Sequence, residues 1–266
     1  MISTLHAGFS WAYAVSGLLV GMLVGLTGVG GGSLMTPLLV LLFGFAPSTA
    51  VGTDLLFAAA TKTVGTSIHS ALKSVDWRIV GRLSLGSVPA TVLTLLVIAH
   101  YGAASHVINT AITTTLGVAL LISVVSLFAR ERLVAAAMRR NEDFGLTTSI
   151  GLTVATGFVV GALVSLSSVG AGALGTVALL FLYPRLPLNR VVGSDIAHAV
   201  PLTLVAGLGH WYLGAVNIGL LFNLLLGSVP GIILGSYAVG KVPDYILRPS
   251  LGLVLTLVAI RMLTAA

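Results

Sequence analysis

Three charged residues stand out because the chain has so few: only 8% of its 266 residues are Asp, Glu, Lys or Arg. Lys62 lies within the apolar stretch 50–72, and Asp54 and Asp195 follow Gly-Thr and Gly-Ser in the two halves of the chain. A lysine inside an apolar stretch is costly and marks a functional site by default. We predict that Lys62 is a counter-charge for an anion or part of a proton relay. A lysine that extends its stem to a membrane surface is the structural alternative.

The two aspartates and the residues before them form a repeated pattern. Thr53-Asp54 and Ser194-Asp195 each lie at a predicted helix start, so helix N-capping alone would explain them. Their recurrence in both halves favours a binding role. In that role the carboxylates line a substrate site and the Thr53 and Ser194 hydroxyls donate hydrogen bonds to the ligand.

Three histidines are candidates for proton coupling, because histidine changes charge near neutral pH. His69 and His210 lie near the far ends of corresponding predicted helices, and His198 follows Asp195 by three residues and shares its helical face. The structural alternative is a histidine that satisfies its hydrogen bonds near a membrane surface.

Glycine-rich breaks follow two apolar stretches. We call GVGGGS at 28–33 the first elbow and SVGAGA at 168–173 the second elbow. A helix that restarts after such a break presents unpaired N–H groups and the positive end of its dipole, which together bind anions. The predicted contributors are Gly30, Gly31, Gly32 and Ser33 in the first elbow, and Gly170, Ala171, Gly172 and Ala173 in the second. Close helix packing is the alternative, and it is the predicted role of two glycine ladders, Gly17-Gly21-Gly25 and Gly157-Gly161-Ser165.

Other kinds of chemistry find no support in the sequence. The chain has no cysteine, which excludes disulfides and thiolate chemistry. No metal-ligand spacing, nucleophile elbow or phosphate loop is recognisable, so we expect no metal, no cofactor and no enzymatic activity. Its thirteen Lys and Arg residues are too scattered for a nucleic-acid surface.

The composition predicts which kind of secondary structure positions these residues. With 57% hydrophobic residues and a mean hydropathy of +1.10, the chain is predicted to be an all-α polytopic membrane protein. Two further apolar stretches, 33–45 and 173–183, are too short for full spans. The predicted spans are 11–28, 50–72, 79–99, 105–129, 147–169, 191–213, 217–239 and 247–264.

The two halves of the chain are copies of each other. Between Gly17–Pro37 and Gly157–Val177, eleven of twenty-one positions are identical at an offset of 140 residues. At an offset of 141, GSVP recurs at 86–89 and 227–230, and Asp54 and His69 match Asp195 and His210. Matched Asp, His and Pro positions do not arise from apolar composition alone, so a duplication is indicated.

The positions of the cations predict that the second copy is inverted in the membrane. If each half crosses an odd number of times, eleven cations lie on the cytoplasmic side and one, Arg261, lies outside. Each repeat would be a glycine-broken or re-entrant helix pair followed by three transmembrane helices, an architecture typical of secondary transporters. The predicted units are a first repeat, 1–129, a cytoplasmic linker, 130–144, and a second repeat, 145–266.

Several motifs resemble those of the TauE/SafE family of sulfite exporters. They are GLTGVGGGSLMTPLL at 25–39, AVGTDL at 50–55, VDWR at 75–78 and GSDIAHA at 193–199. The resemblance covers nearly the whole chain and implies a secondary transporter of sulfite, sulfoacetate, thiosulfate or another organosulfur or organic acid. The second elbow departs from the fuller glycine run, which leaves open how evenly the two halves share the ligand.

The resulting hypothesis is an exporter in the cell's inner (cytoplasmic) membrane that binds a small anion at the midplane, between the two elbows. Its expected partners are the anion and the lipid bilayer, with a homo-oligomer possible and no nucleic acid. An anion channel is the alternative, since the same elbows would serve it. A membrane-embedded enzyme or a scaffold has less support.

Overall fold

The chain forms ten helices in the computed structural model, which describes residues 10–27, 32–139, 146–170, 172–237 and 244–265. Within these residues all regular secondary structure is helical, as predicted. The helices are α1 Trp11–Thr27, α2 Gly32–Leu41, α3 Pro47–Ala71, α4 Trp77–Tyr101, α5 His106–Arg139, α6 Leu146–Ser167, α7 Ala173–Leu182, α8 Leu188–Tyr212, α9 Ile218–Tyr237 and α10 Asp244–Ala265.

Five of the described helices are long and apolar enough to cross a membrane: α4, α5, α6, α8 and α9. The described parts of α1 and α10 contain shorter apolar stretches, Trp11–Val24 and Leu251–Thr264. The predicted span 50–72 forms α3, which is 25 residues long but does not reach the same hydropathy. Its polar residues, Asp54 and Lys62 among them, explain the difference, and both are buried.

Two short helices, α2 and α7, follow the elbows and have ten residues each. Such helices are about 15 Å long, half the thickness of the hydrocarbon core. In the second elbow the backbone has positive φ at Ser168 (58°), Gly170 (117°) and Gly172 (134°) before α7 begins. Glycine adopts these conformations freely, which is why the glycines of this elbow allow the chain to reverse within a few residues.

Corresponding helices exchange partners between the halves. The α1 helix packs against α9 and the α6 helix against α4, with glycines at the contact. Gly17 and Gly21 approach the backbone of Leu224 and Ser228, and the matching residues Gly157 and Gly161 approach Leu83 and Ser87. The packing role predicted for the glycine ladders is confirmed at these positions.

The α3 and α8 helices pack against each other in the interior and are antiparallel. Gly52 meets Ala215 and His210, whereas Gly207 meets Leu56. Helices α5 and α10 are antiparallel as well, since Gly117 contacts Leu263 and Gly252 contacts Phe128. The α3–α8 pair carries most of the residues that the sequence singled out, and it therefore positions the site.

The α5 helix continues without a break from the predicted fourth span into the predicted linker. It ends at Arg139, so the first ten residues of the segment 130–144 are helical. Residues 140–144 lie outside the described residues.

Candidate functional site

Two aspartate–threonine pairs connect the short helices α2 and α7 to α3 and α8. Thr36 Oγ1 of α2 donates to Asp54 Oδ2 of α3 over 2.5 Å. Thr176 Oγ1 of α7 donates to Asp195 Oδ2 of α8 over 2.9 Å. Both aspartates are fully buried. Thr36 and Thr176 match at the 140-residue offset, so the same bond is built in each half.

Lys62 of α3 is within electrostatic range of both pairs. It is 8% exposed and interacts electrostatically with both Asp195 and Asp54, more strongly with Asp195. His198 of α8 is also within electrostatic range of Lys62. We call Asp54, Lys62, Asp195 and His198 the central cluster. The lysine position has no charged counterpart in the second half, where residue 203 is a threonine that donates to its own helix at Ala199 O.

Each aspartate of the central cluster has one buried oxygen without a hydrogen bond, Oδ1 in both cases. Gly175 of α7 lies directly over Asp195, where a β-carbon would overlap Oδ1. Ser168 of the second elbow lies beside the Asp54 carboxyl group, and its buried Oγ also lacks a hydrogen bond. An unpaired buried polar atom costs about 1–3 kcal/mol, so these atoms are available for a proton or a ligand.

The second elbow therefore reaches the carboxylate of the opposite half. Ser168 belongs to the second repeat and Asp54 to the first. A serine at positive φ is strained by about 1–3 kcal/mol, and such strain is concentrated at functional positions. Gly172, the N-cap of α7, provides no side-chain cap, while the amides of Leu174 and Gly175 bond to Gly170 O.

Part of the predicted anion site cannot be described in the same detail. Gly30, Gly31 and Ala171 lie outside the described residues, whereas Gly32 and Ala173 begin α2 and α7, and Ser33 lies in the first turn of α2. The described backbone thus includes both restarted helices but only part of each elbow.

Thr53 and Ser194 contact loops rather than the short helices. Thr53 Oγ1 accepts from the Asn217 amide over 3.0 Å, and Ser194 Oγ accepts from the Asp76 amide over 2.8 Å. Asp76 itself caps α4 and forms an ion pair with Arg190 at 3.3 Å. These hydroxyl oxygens fix the loops before α9 and α4, and they adjoin the aspartates only along the helix.

The three histidines occupy different environments. His198 Nε2 is 2.9 Å from Ser87 Oγ of α4, inside the bundle. His210 Nε2 is 3.0 Å from Ser165 O, in the last turn before the second elbow. His69 is half-buried near the end of α3, with Nδ1 2.8 Å from Ser74 Oγ. Of the three, only His198 lies in the central cluster. No group of His, Asp or Glu within the described residues is arranged to hold a metal ion.

A groove of about 370 Å³ runs along the C-terminal half of α3. Its lining begins at Thr63, the residue after Lys62, and ends at Trp77 of α4. Four hydroxyls line it, which is unusual for the surface of a membrane helix. The lining residues are Thr63, Thr66, Ser67, Ser70, Ala71, Trp77 and Val200.

Sequence reasoning missed Thr36, Thr176 and Ser87 as members of the site. Thr36 and Thr176 are identical residues at the repeat offset, one turn after each elbow, and this signal was available in the sequence. Ser87 lies in the first GSVP copy and contacts His198, whereas the matching Ser228 of the second copy has a buried Oγ without a hydrogen bond. Only the packing of α4 against α8 brings Ser87 to His198.

The duplicated features described above extend over nearly the entire chain. One protein family has a sequence pattern that covers the same length. The family model described as "Sulfite exporter TauE/SafE" matches residues 13–262. The chain belongs to the TauE/SafE family. It is therefore an integral membrane protein of a transporter family.

Curated relatives of this TauE/SafE chain carry transporter names. It is 39% identical over 223 residues to the probable membrane transporter protein YjnA of Bacillus subtilis, covering 83% of this chain and 87% of that protein. It is 25% identical to YdhB of the same organism, over 88% and 91% of the two chains. The probable membrane transporter protein MJ0441 of Methanocaldococcus jannaschii is 25% identical over 81% and 77%. No solved structure matches the TauE/SafE chain.

Proposed function

We propose that this TauE/SafE chain is a secondary transporter that exports a small anion across the cell's inner (cytoplasmic) membrane. The candidate substrates are sulfite, sulfoacetate and other organosulfur or organic acids. The observation that carries the proposal is Lys62, a buried cation of α3 within electrostatic range of two buried aspartates, Asp54 of α3 and Asp195 of α8. Intramembrane charges of this kind mark substrate or ion pathways.

The anion would bind at the midplane between the elbows. The backbone of Gly30 to Ser33 and of Gly170 to Ala173 would supply N–H donors and the helix dipoles, and Lys62 would supply charge. Thr36 and Thr176 tie α2 and α7 to the aspartates, so a displacement of either short helix moves a carboxylate of the central cluster. This connection supports a carrier, in which occupancy of the elbows is linked to a change in helix packing.

The groove beside α3 supports a route from one membrane surface. Its hydroxyls lead from Thr63, the residue after Lys62, towards the loop that contains Lys73, and short loops rich in Lys and Arg stay in the cytoplasm. An anion leaving the cell is also driven by the membrane potential, which contributes about 2.3 kcal/mol per charge at 100 mV.

We also propose that the two repeats have inverted topology, with both termini outside. The opposite chain order of the α3–α8 and α5–α10 contacts supports this orientation, because corresponding helices of the two copies then run in opposite directions. Parallel copies would give corresponding helices the same direction.

Cysteine labelling tests the orientation in a chain that has no cysteine of its own. Arg185→Cys, before α8, is expected to be protected from a membrane-impermeant thiol reagent in intact cells and labelled after lysis. Tyr212→Cys, at the 92% exposed end of α8, is expected to be labelled in intact cells. The reverse pattern would exclude the inverted arrangement, and Lys73→Cys, expected to be protected, serves as a first-half reference.

Reconstitution into proteoliposomes tests the transport activity. We expect vesicles loaded with unlabelled thiosulfate to accumulate labelled thiosulfate transiently by counterflow, with saturation. Large unitary currents without counterflow would instead identify a channel. In detergent, a panel of sulfite, thiosulfate, sulfoacetate and carboxylates should include at least one ligand that raises the midpoint of thermal unfolding, since binding to the folded state stabilises it. If no member of the panel binds or exchanges, the proposed substrate class is wrong.

A further inference from the structure

The central cluster has an excess of negative charge for a site that binds anions. Lys62 contributes one positive charge, whereas Asp54 and Asp195 contribute two negative charges when both are ionised. His198 is 1% exposed, and a charged imidazole is costly where water is excluded, so we count His198 as neutral. In a buried site such an imbalance is expensive, and it also repels an incoming anion.

The two aspartates are not equivalent in this balance. Lys62 interacts more strongly with Asp195 than with Asp54, so Asp195 is the counter-ion of the lysine. At Asp54 the Thr36 and Ser168 side chains are stronger influences than Lys62. Eight residues of helix, about 12 Å of rise, separate Asp54 from Lys62. The uncompensated negative charge therefore resides on Asp54.

The surroundings of Asp54 fit a carboxyl group that gains and loses a proton. Oδ2 accepts from Thr36, while Oδ1 and the nearby Ser168 Oγ are both buried and without a hydrogen bond. The two atoms are not hydrogen-bonded to each other in this structure, and a small movement of the elbow would let a proton on Oδ1 donate to Ser168 Oγ. The carboxyl group in α3 would then be bonded to the second elbow, where the anion is proposed to bind.

The other titratable groups near Asp54 are few. Among the described residues, Lys62 lies on the same helix, and Asp195, His198 and His210 lie on α8. Helices α2, α6 and α9 pack against α3 with no charged or histidine side chain, and His106 and Arg132 of α5, the two such side chains of that helix that the structure describes, are exposed. Among the described residues, Asp195 is therefore the only buried acid near α3 other than Asp54 itself.

We propose that Asp54 is the proton carrier of the transporter: anion binding requires Asp54 to be protonated, and one proton crosses the membrane with each anion. A divalent anion such as thiosulfate then still moves one net negative charge, on which the membrane potential acts. The proton binds Oδ1 from the aqueous side to which the site is open and is released to the other side after the helices rearrange. This inference rests on the proposed anion transport and assigns its coupling ion. It moves the coupling role from the predicted histidines to a carboxylate.

The test measures proton movement with thiosulfate, whose charge is constant across the neutral range. In proteoliposomes that contain a pH-sensitive dye, an inward thiosulfate gradient is expected to acidify the lumen when the wild type is present. Asp54→Asn mimics the protonated group, so it should still exchange thiosulfate measurably but move no protons. Asp76→Asn, a change to an aspartate outside the central cluster, should keep proton movement.

A binding measurement on the wild type keeps the proposal falsifiable if Asp54→Asn fails to fold. In weakly buffered detergent solution, thiosulfate binding is expected to take up about one proton per site, and affinity should fall by up to about tenfold per pH unit on the alkaline side. Exchange without proton uptake, or binding that instead requires Na⁺, would overturn the role of Asp54 while leaving anion transport intact. If thiosulfate neither binds nor exchanges but another anion of the panel does, the same measurements are made with that anion.

Discussion

Replacement of Lys62 by glutamine is expected to reduce anion affinity and transport roughly 10- to 150-fold. The lysine is the only positive charge of the central cluster, and a hydrogen bond or contact to a charged group contributes about 1.5–3 kcal/mol, with each 1.4 kcal/mol worth about a factor of ten. Glutamine keeps much of the length and polarity of lysine but not the charge. Initial rates of labelled anion counterflow, together with the ligand-induced thermal shift, measure the effect.

The chain offers a matched control for this substitution. Thr203 occupies the equivalent position in the second half, and its hydroxyl bonds to its own helix. Thr203→Val should therefore leave transport within about twofold of the wild type, because it removes no charge. If Lys62→Gln is well folded and transports like the wild type, Lys62 is only a lysine that extends to the membrane surface.

Gly86→Ala is expected to cause a large loss of stability without touching the central cluster. A β-carbon at this position of α4 would overlap the carbonyl oxygen of Val154 in α6, and its contact with the Phe158 amide nitrogen would be 2.7 Å. Neither neighbour is a flexible side chain, so the two helices must separate. Overpacking of this kind costs about 1–3 kcal/mol. The midpoint of thermal unfolding in detergent measures the loss.

Gly81→Ala provides the control in the same helix. A β-carbon at Gly81 has no atom within 4 Å. The substitution should be neutral or slightly stabilising, since alanine favours a helix over glycine by about 1 kcal/mol. Equal thermal midpoints for Gly86→Ala and Gly81→Ala would mean that α4 and α6 do not approach as closely as described.

Much of the fold was predictable because its signals are local or periodic. Apolar length predicted the long helices, the glycine run at 168–173 predicted the break before α7, and the repeat offset predicted which helices correspond. The α3 helix was the exception in hydropathy. Its polar residues lower the mean, yet they face the interior of the bundle, where the sequence alone does not reveal their partners.

The site was predictable residue by residue but not as a set of contacts. Lys62 and the aspartates were singled out by charge in an apolar chain, and they do lie together in the central cluster. Thr53 and Ser194 adjoin the aspartates in sequence, but a helix directs successive side chains to different faces, and the two hydroxyls contact the loops before α9 and α4. His69, His198 and His210 differ because their surroundings depend on which distant helix packs opposite.

The exchange of partners between the halves also bears on how the protein came about and how it matures. The α1 helix has its glycine contacts on α9, near the end of the chain, whereas α6 finds its matching partner in α4, which is already made. Two unfused copies with this packing would have formed an intertwined dimer, so gene fusion would have preserved an older interface rather than created a new one. During synthesis, α1 must wait in the membrane for its partner until most of the chain has been inserted.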